Sequence, residues 1–314
     1  MTYIRGMSRA AATVTKAMFH GLSRLGRLHP KARPSRHGVT VDTDLAYGPD
    51  PAHRLDLYRP RRPGPWPVVF YVHGGGFHML SKDTHWLMGL AFARAGYLVV
   101  NISYRLAPTH RYPAAIEDTC RAWLETLAKL PAWGGDPTRI AVAGESAGGN
   151  LITALTLATC QPRPEPFARA VYDAGVVPRA ALPFCALLEV SRPERFGARR
   201  PLPGWIQGMV ARVSTSYLGD APTGEHRDLA DPLVVLEGGA ALARPLPPWF
   251  APVGTADPIL DDTRRLEKAL AARGVPCEAR YYPGGVHAFH AFVWQAQARQ
   301  CWRDALAFLA RHLR

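Results

Sequence analysis

The sequence predicts an α/β fold built on a mostly parallel sheet, and three observations carry that prediction. Two continuous β-branched and aromatic runs, "PVVFYVH" (67–73) and "YLVVNISY" (97–104), suit strands buried on both faces. Helical patterns separate the strand-like runs along most of the chain, as βαβ units require. A strand–turn–helix passage, "RIAVAGESAGGNLITALTLATC" (139–160), sets one serine between glycines at its junction.

Taken in order, the chain opens on "TVTKAMFHGLSRLGRL" (13–28). There Val14, Met18, Leu22, Leu25 and Leu28 recur at helical spacing, so the segment reads as an amphipathic helix. Three roles fit it: docking on the body of the protein, lying on an anionic membrane surface, or acting as a transit peptide. After the linker "HPKARPSRHG" (29–38), residues 39–47 and 53–60 alternate apolar and polar side chains, as half-buried antiparallel edge strands do. Further strands are expected at 139–144, 168–175, 248–254 and 277–284. Helices are expected at 84–96, 113–130, 147–160, 205–219, 261–274 and 291–313. The block 178–230 breaks the alternation, being rich in Pro, Gly and Arg around one helical stretch. An excursion of that length reads as a lid or cap. The expected organisation is therefore an N-terminal cap segment (1–38), a catalytic domain (39–177 and 231–314) and an inserted cap segment (178–230).

The net charge of +13 is unevenly spread, because residues 1–41 hold eight Lys or Arg and no acid. A nucleic-acid binder would carry its basic residues and stacking aromatics along a working face, so no nucleic-acid partner is expected. Weak contact of the basic N-terminus with a membrane surface stays open. The five cysteines are scattered without a CxxC pair, which fits neither a disulfide framework nor a zinc site. No uncharged apolar run reaches the length that crosses a bilayer, and the N-terminus has no h-region. A cytoplasmic protein is the expectation. No GxGxxG follows the first strand and no HExxH occurs, so neither cofactor nor metal is expected.

The chemistry concentrates in four places. Gly144-Glu145-Ser146-Ala147-Gly148 is G-x-S-x-G in the strand–turn–helix context that makes the pattern informative. Glycines two residues to either side relieve the crowding of a sharp turn, and the helix N-terminus behind Ser146 favours developing negative charge. "HGGGF" (73–77) follows a buried strand, and its glycines let backbone amides approach a ligand closely. No Gly-Lys-Ser/Thr follows, which argues against a phosphate cradle. Asp257 and His287 fall in loops after the seventh and eighth expected strands, at the same sheet edge as Ser146. The order Ser, acid, His completes an acyl-transfer triad. His290 and His73 compete less well for the base, and Asp261 and Asp262 read as N-terminal helix charges.

With these positions in hand, "HGGGF", "YRLAPTHRYPAAIED" (104–118), "GESAGG" (144–149), "DPILDD" (257–262) and "HAF" (287–289) resemble, in order and spacing, the hormone-sensitive-lipase-like (bacterial family IV) α/β-hydrolase esterases. The resemblance covers residues 40–312. It implies an α/β-hydrolase fold: a mostly parallel eight-stranded sheet flanked by helices, with a helical cap. It also implies a serine carboxylesterase acting on small-molecule esters of short to medium acyl chains, through Ser146, Asp257 and His287. Gly75, Gly76 and Ala147 would supply the oxyanion amides. Phe77, His78, Trp205, Ile206 and Met209 are candidates for the substrate pocket. Tyr104, Arg105 and Asp118 belong to a structural motif. Many relatives carry Asp before the nucleophile, whereas this chain has Glu145. An amidase, deacetylase or arylformamidase would use the same triad, and a non-catalytic small-ligand receptor is a reading of another class. An exposed last strand or helix would support a homodimer.

Overall fold

The structure, a computed structural model, describes residues 21, 23–198, 201–219 and 228–313. Eight strands form one sheet: β1 (Val39–Ala46), β2 (Arg54–Pro60), β3 (Trp66–Val72), β4 (Leu98–Ile102), β5 (Gly135–Glu145), β6 (Ala180–Phe184), β7 (Trp249–Gly254) and β8 (Cys277–Tyr282). Their spatial order is β1-β2-β4-β3-β5-β6-β7-β8. β1–β2 and β2–β4 pair antiparallel, and the rest pair parallel. β1 is the edge strand that its alternation predicts. β2 lies inside the sheet, between β1 and β4.

The pleat of β3 divides the core. Val68, Phe70 and Val72 face one side, where they pack with α3 (Ala114–Trp133), α4 (Ala147–Cys160) and α5 (Pro166–Asp173). Val69 and Tyr71 face the other, with α2 (Trp86–Arg94) and α9 (Ala296–His312). α4 runs behind the serine turn and is buried along its whole length. Its threonines manage this by bonding back to carbonyls, Thr153 to Gly149 and Thr156 to Ile152, each at 2.7 Å.

One expected strand is a helix. Residues 168–175 lie mostly in α5, where Pro166 sits in the first turn, Ala168 and Val171 turn inward, and Arg169 pairs with Asp173 one turn on. The sixth strand is instead Ala180–Phe184, inside the block expected as an insertion. Its sequence "AALPF" has no β-branched residue and signals nothing by itself. The chain after β6 runs through α6 (Gly204–Leu218) and α7 (Pro232–Glu237), and then returns to β7; α8 (Leu260–Ala272) precedes β8.

Of the N-terminal stripe, Val14, Met18 and Leu22 lie outside the described residues. Residues 23–28 are helical (α1), and there Leu25 and Leu28 are exposed. α1 makes polar contacts with the body: Ser23 Oγ and Arg27 Nη2 donate to the Asp83 carbonyl at 3.1 and 2.8 Å. Among the described residues no helix is long and apolar enough to cross a membrane.

Candidate active site

Ser146 ends β5 and starts α4 with φ 51° and ψ −115°, a conformation that costs on the order of 1–3 kcal/mol and persists only where the surroundings impose it. The surroundings are close-packed backbone. A Cβ on Gly144 would lie 2.5 Å from the Gly148 carbonyl oxygen, and one on Gly148 would run into the Val72 carbonyl and lie 2.6 Å from that of His73. The Ser146 amide donates to Phe184 O at 2.9 Å, and its carbonyl accepts from Asn150 and Leu187. The strand, the helix and the segment after β6 thus hold the turn from three sides.

The three side chains named from sequence meet. His287 Nε2 lies 3.0 Å from Ser146 Oγ, and His287 Nδ1 lies 2.9 Å from Asp257 Oδ2. The other Asp257 oxygen accepts from the Ile259 amide at 2.9 Å. The loops carrying acid and base are joined by one backbone–backbone bond and one bond to a threonine hydroxyl. Ala256 N donates to Gly285 O at 3.0 Å, and Gly284 N donates to Thr255 Oγ1 at 2.8 Å. Gly254 has no room for a Cβ beside Gly285. Burial by itself disfavours the imidazolium of His287. The Asp257 carboxylate, by charge and hydrogen bond, and then Glu145 outweigh that, so the ring is held above the ordinary histidine range.

The glycine loop stands beside this chain of bonds. Gly75 and Gly76 take φ 111° and 58°, and a Cβ on Gly75 would strike the Met79 carbonyl. Among the described residues the amides of Gly75, Gly76 and Ala147 have no intramolecular acceptor. His73 is not part of the proton chain. Its ring is fully buried, stacks on Tyr104 at 4.2 Å, and is pushed down to about 3 by burial and then by His85. Tyr104 donates to the His73 carbonyl, so this pair braces the loop's base. Asp118 accepts from the Arg105 amide and guanidinium and contacts His53 at 2.9 Å, the structural role its motif implies.

α6 covers the loop. Tyr217 is fully buried and stacks on Phe77 with ring centroids 3.8 Å apart, and Val213 Cγ2 is 2.8 Å from where a Gly76 Cβ would be. Of the candidate pocket residues, Phe77 is therefore enclosed. His78 is partly buried, with its Nδ1 at 2.8 Å from the Gly76 carbonyl. Ile206 packs at the core margin. Met209 and Trp205, one and two turns before Val213 on α6, are 43% and 69% exposed.

Sequence reading missed two partners. Asp262 is not a solvated helix charge: it is fully buried, accepts from the Leu188 amide at 2.7 Å and pairs with Arg195. It thereby pins the chain leaving β6. Glu145, beside the nucleophile, is buried between His85 and His290. Cys185 offers a third potential ligand atom within 4.8 Å of those of Asp257 and His287. Burial pushes its thiol well above the ordinary range, and a neutral thiol is a poor metal ligand.

Comparison with known proteins bears on the family and the fold. A family model described as the alpha/beta hydrolase fold matches residues 69–291. The carboxylesterase NlhH of Mycobacterium tuberculosis is 35% identical over 227 residues, which are 71% of this chain and 66% of that protein. A solved structure named bacterial heroin esterase superposes with a TM-score of 0.80 at 26% identity, covering 97% of this chain and 93% of its own. An esterase of the archaeon Pyrobaculum calidifontis gives a TM-score of 0.73 at 25% identity, covering 95% and 90%.

Proposed function

The chain belongs to the hormone-sensitive-lipase-like family of α/β hydrolases, and from that premise we propose that it is a serine carboxylic ester hydrolase working through Ser146, His287 and Asp257. The observation that carries the reading is the unbroken chain of contacts from Ser146 Oγ through His287 to Asp257, at 3.0 and 2.9 Å. His287 Nε2 takes the hydroxyl proton as Oγ attacks the acyl carbon. Negative charge then builds on the former carbonyl oxygen, within reach of the free amides of Gly75, Gly76 and Ala147. Collapse breaks the ester C–O bond, and the imidazolium gives its proton to the departing alcohol. Water, activated by the same ring, releases the acid. Asp257 keeps Nδ1 protonated throughout and balances the imidazolium charge.

The acyl group lies in the space bounded by Gly76, His78 and the Val213 face of α6, with Met209 at its outer margin and Trp205 beyond it. Phe77 contributes by holding the loop under Tyr217. The segments before β1 and between β6 and β7 serve as the cap. Short to medium acyl chains suit a site roofed so closely. The basic N-terminus, with Leu25 and Leu28 exposed, would make weak contacts with anionic membranes, and the open edge of β8 would seat a second copy. The cytoplasm suits five cysteines that are all free thiols.

Turnover of p-nitrophenyl acetate, butyrate and octanoate, set against the matching anilides, tests the bond class. Esters should be cleaved with kcat/KM at least about 100-fold above the anilides. Cleavage of anilides or formamides in preference to esters would assign the site to an amidase instead.

A further inference from the structure

Glu145 carries more than its place in the serine motif requires. We propose that Glu145, clamped between His85 and His290, is a positioning residue of the hydrolytic site: it ties the oxyanion loop and the base loop to the nucleophile turn and adds a second buried negative charge behind His287. The proposal rests on His287 being the base.

The geometry gives the carboxylate one partner on each side. Oε1 lies 3.1 Å from His85 Nε2, and Oε2 lies 2.9 Å from His290 Nε2, off the hydrogen-bonding direction. All three side chains are almost fully buried. His85 Nδ1 faces the Ser81 carbonyl at 3.1 Å and Thr84 Oγ1 at 3.0 Å, and Thr84 commits its own proton to Ser81 O. His85 Nε2 also faces the Gly74 amide at 3.4 Å, so the ring sits between the glycine loop and Glu145. On the loop side, a Cβ on Gly74 would lie 2.8 Å from Glu145 Cγ and Oε1, so the "GGG" backbone rests on the carboxylate itself. On the other side, His290 is three residues beyond the base, in the 3₁₀ turn Phe289–Ala291, with its carbonyl held by Trp302 Nε1 at 3.0 Å.

A structural filler would not need a charge here, because burying an ion is costly and an apolar residue of similar volume is often no less stable. Nor would aspartate serve, since it is one C–C bond, about 1.5 Å, too short to touch both rings. The remaining titratable groups around Glu145 are Tyr71, Tyr104, His73 and Cys185, and burial keeps each of them neutral. His287 is faced by Asp257 from the β7 loop, Cys185 from the segment after β6, and Ser146 and Glu145 from the turn. Of these only the two carboxylates are charged. Burial alone would push the Glu145 carboxyl up, but His85 and His290 hold it well below the usual range.

The test is kcat and KM from pH 5 to 9 for the wild type, Glu145→Gln, Glu145→Asp and His290→Asn, with p-nitrophenyl butyrate. Removing the charge in Glu145→Gln should move the acid limb of kcat/KM down by roughly half a unit or more. It should also lower kcat about tenfold, with KM within about twofold. Glu145→Asp keeps the charge and loses the reach, so its limb should stay while kcat falls. A folded Glu145→Gln enzyme with wild-type kcat and an unmoved acid limb overturns the proposal. Should that variant fail to fold, His290→Asn decides: kcat down at least about threefold at unchanged KM supports the clamp, and wild-type kcat refutes it. Ser146→Ala and His287→Ala, run alongside, separate the two claims. Activity surviving in them refutes the triad, whereas their inactivity beside a normal Glu145→Gln enzyme refutes only the clamp.

Discussion

At Asp257, a fully buried carboxylate has one oxygen on the Ile259 amide and the other on His287 Nδ1. Replacing it by asparagine keeps the shape but lets the amide present a donor to Nδ1, which selects the wrong tautomer. Asp257→Asn should lower kcat by about four orders of magnitude, with little change in KM for p-nitrophenyl butyrate. The pH profile belongs to the same scale. Because the charge of Asp257 and then Glu145 outweighs burial and raises His287, the acid limb of kcat/KM should fall above the ordinary histidine value of about 6.5. Activity climbs as the ring loses its proton. Stability runs the other way: the raised value contributes stability that is present below about 6.5 and is lost as pH rises through the folded value. Activity titration and thermal melts across pH 5–9 check both signs.

Single residues also show what the sequence made legible. Ser146, Asp257 and His287 stood out because each lies in a short motif whose reading needs only its neighbours: a glycine-flanked turn, a loop after one strand and a loop after the next. Glu145's partners did not stand out. His85 and His290 are 60 and 145 positions away, and nothing local to either says that a carboxylate waits there. Asp262 misled for a related reason. An acid in a helix's first turn looks like a dipole charge, and only the fold shows the Leu188 amide and Arg195 closing over it.

Among elements, α4 and the turn before it tolerate least. Its glycines are set by backbone, not by flexible side chains, so nothing nearby can give way. Gly148→Ala should cost about 3 kcal/mol, read as a lower urea midpoint, because its Cβ meets the Val72 and His73 carbonyls. α6 offers the opposite case. Tyr217 stacks on Phe77, but its hydroxyl is buried with no partner among the described residues. Tyr217→Phe should therefore leave stability unchanged or raise it by up to about 1 kcal/mol, whereas Tyr217→Ala should lose about 4 kcal/mol and loosen the loop beneath. The misread element has a physical reason too. "ARAVYDAG" is a short apolar run whose period is ambiguous, and the real β6 is built of alanines that a strand buried between two neighbours can afford.

For the molecule as a whole, the sheet brings loops from β3, β5, β7 and β8 to one edge, so that residues 73, 146, 257 and 287 become neighbours. The α/β alternation and five of the six parallel strands, β3, β4, β5, β7 and β8, follow from patterning that the chain displays openly. The covering of the site does not, because α6 packs through Val213 and Tyr217 onto a loop more than 130 positions earlier. The global response to acid follows from Glu145. Its carboxyl is held below the usual range, so the stability it contributes is present above about pH 4.3 and is lost as pH falls through the folded value. Chemical denaturation from pH 6 to 3 should show a decline in wild type that is shallower in Glu145→Gln.

The central claim is that one hydroxyl, at position 146, carries the acyl group. Treatment with a fluorophosphonate ester, followed by peptide mass spectrometry, reads it directly. The account predicts a single phosphonyl adduct on the peptide containing Ser146, formed in step with loss of ester hydrolysis and greatly slowed in His287→Ala. An adduct on another residue, or hydrolysis that survives full modification of Ser146, would contradict it.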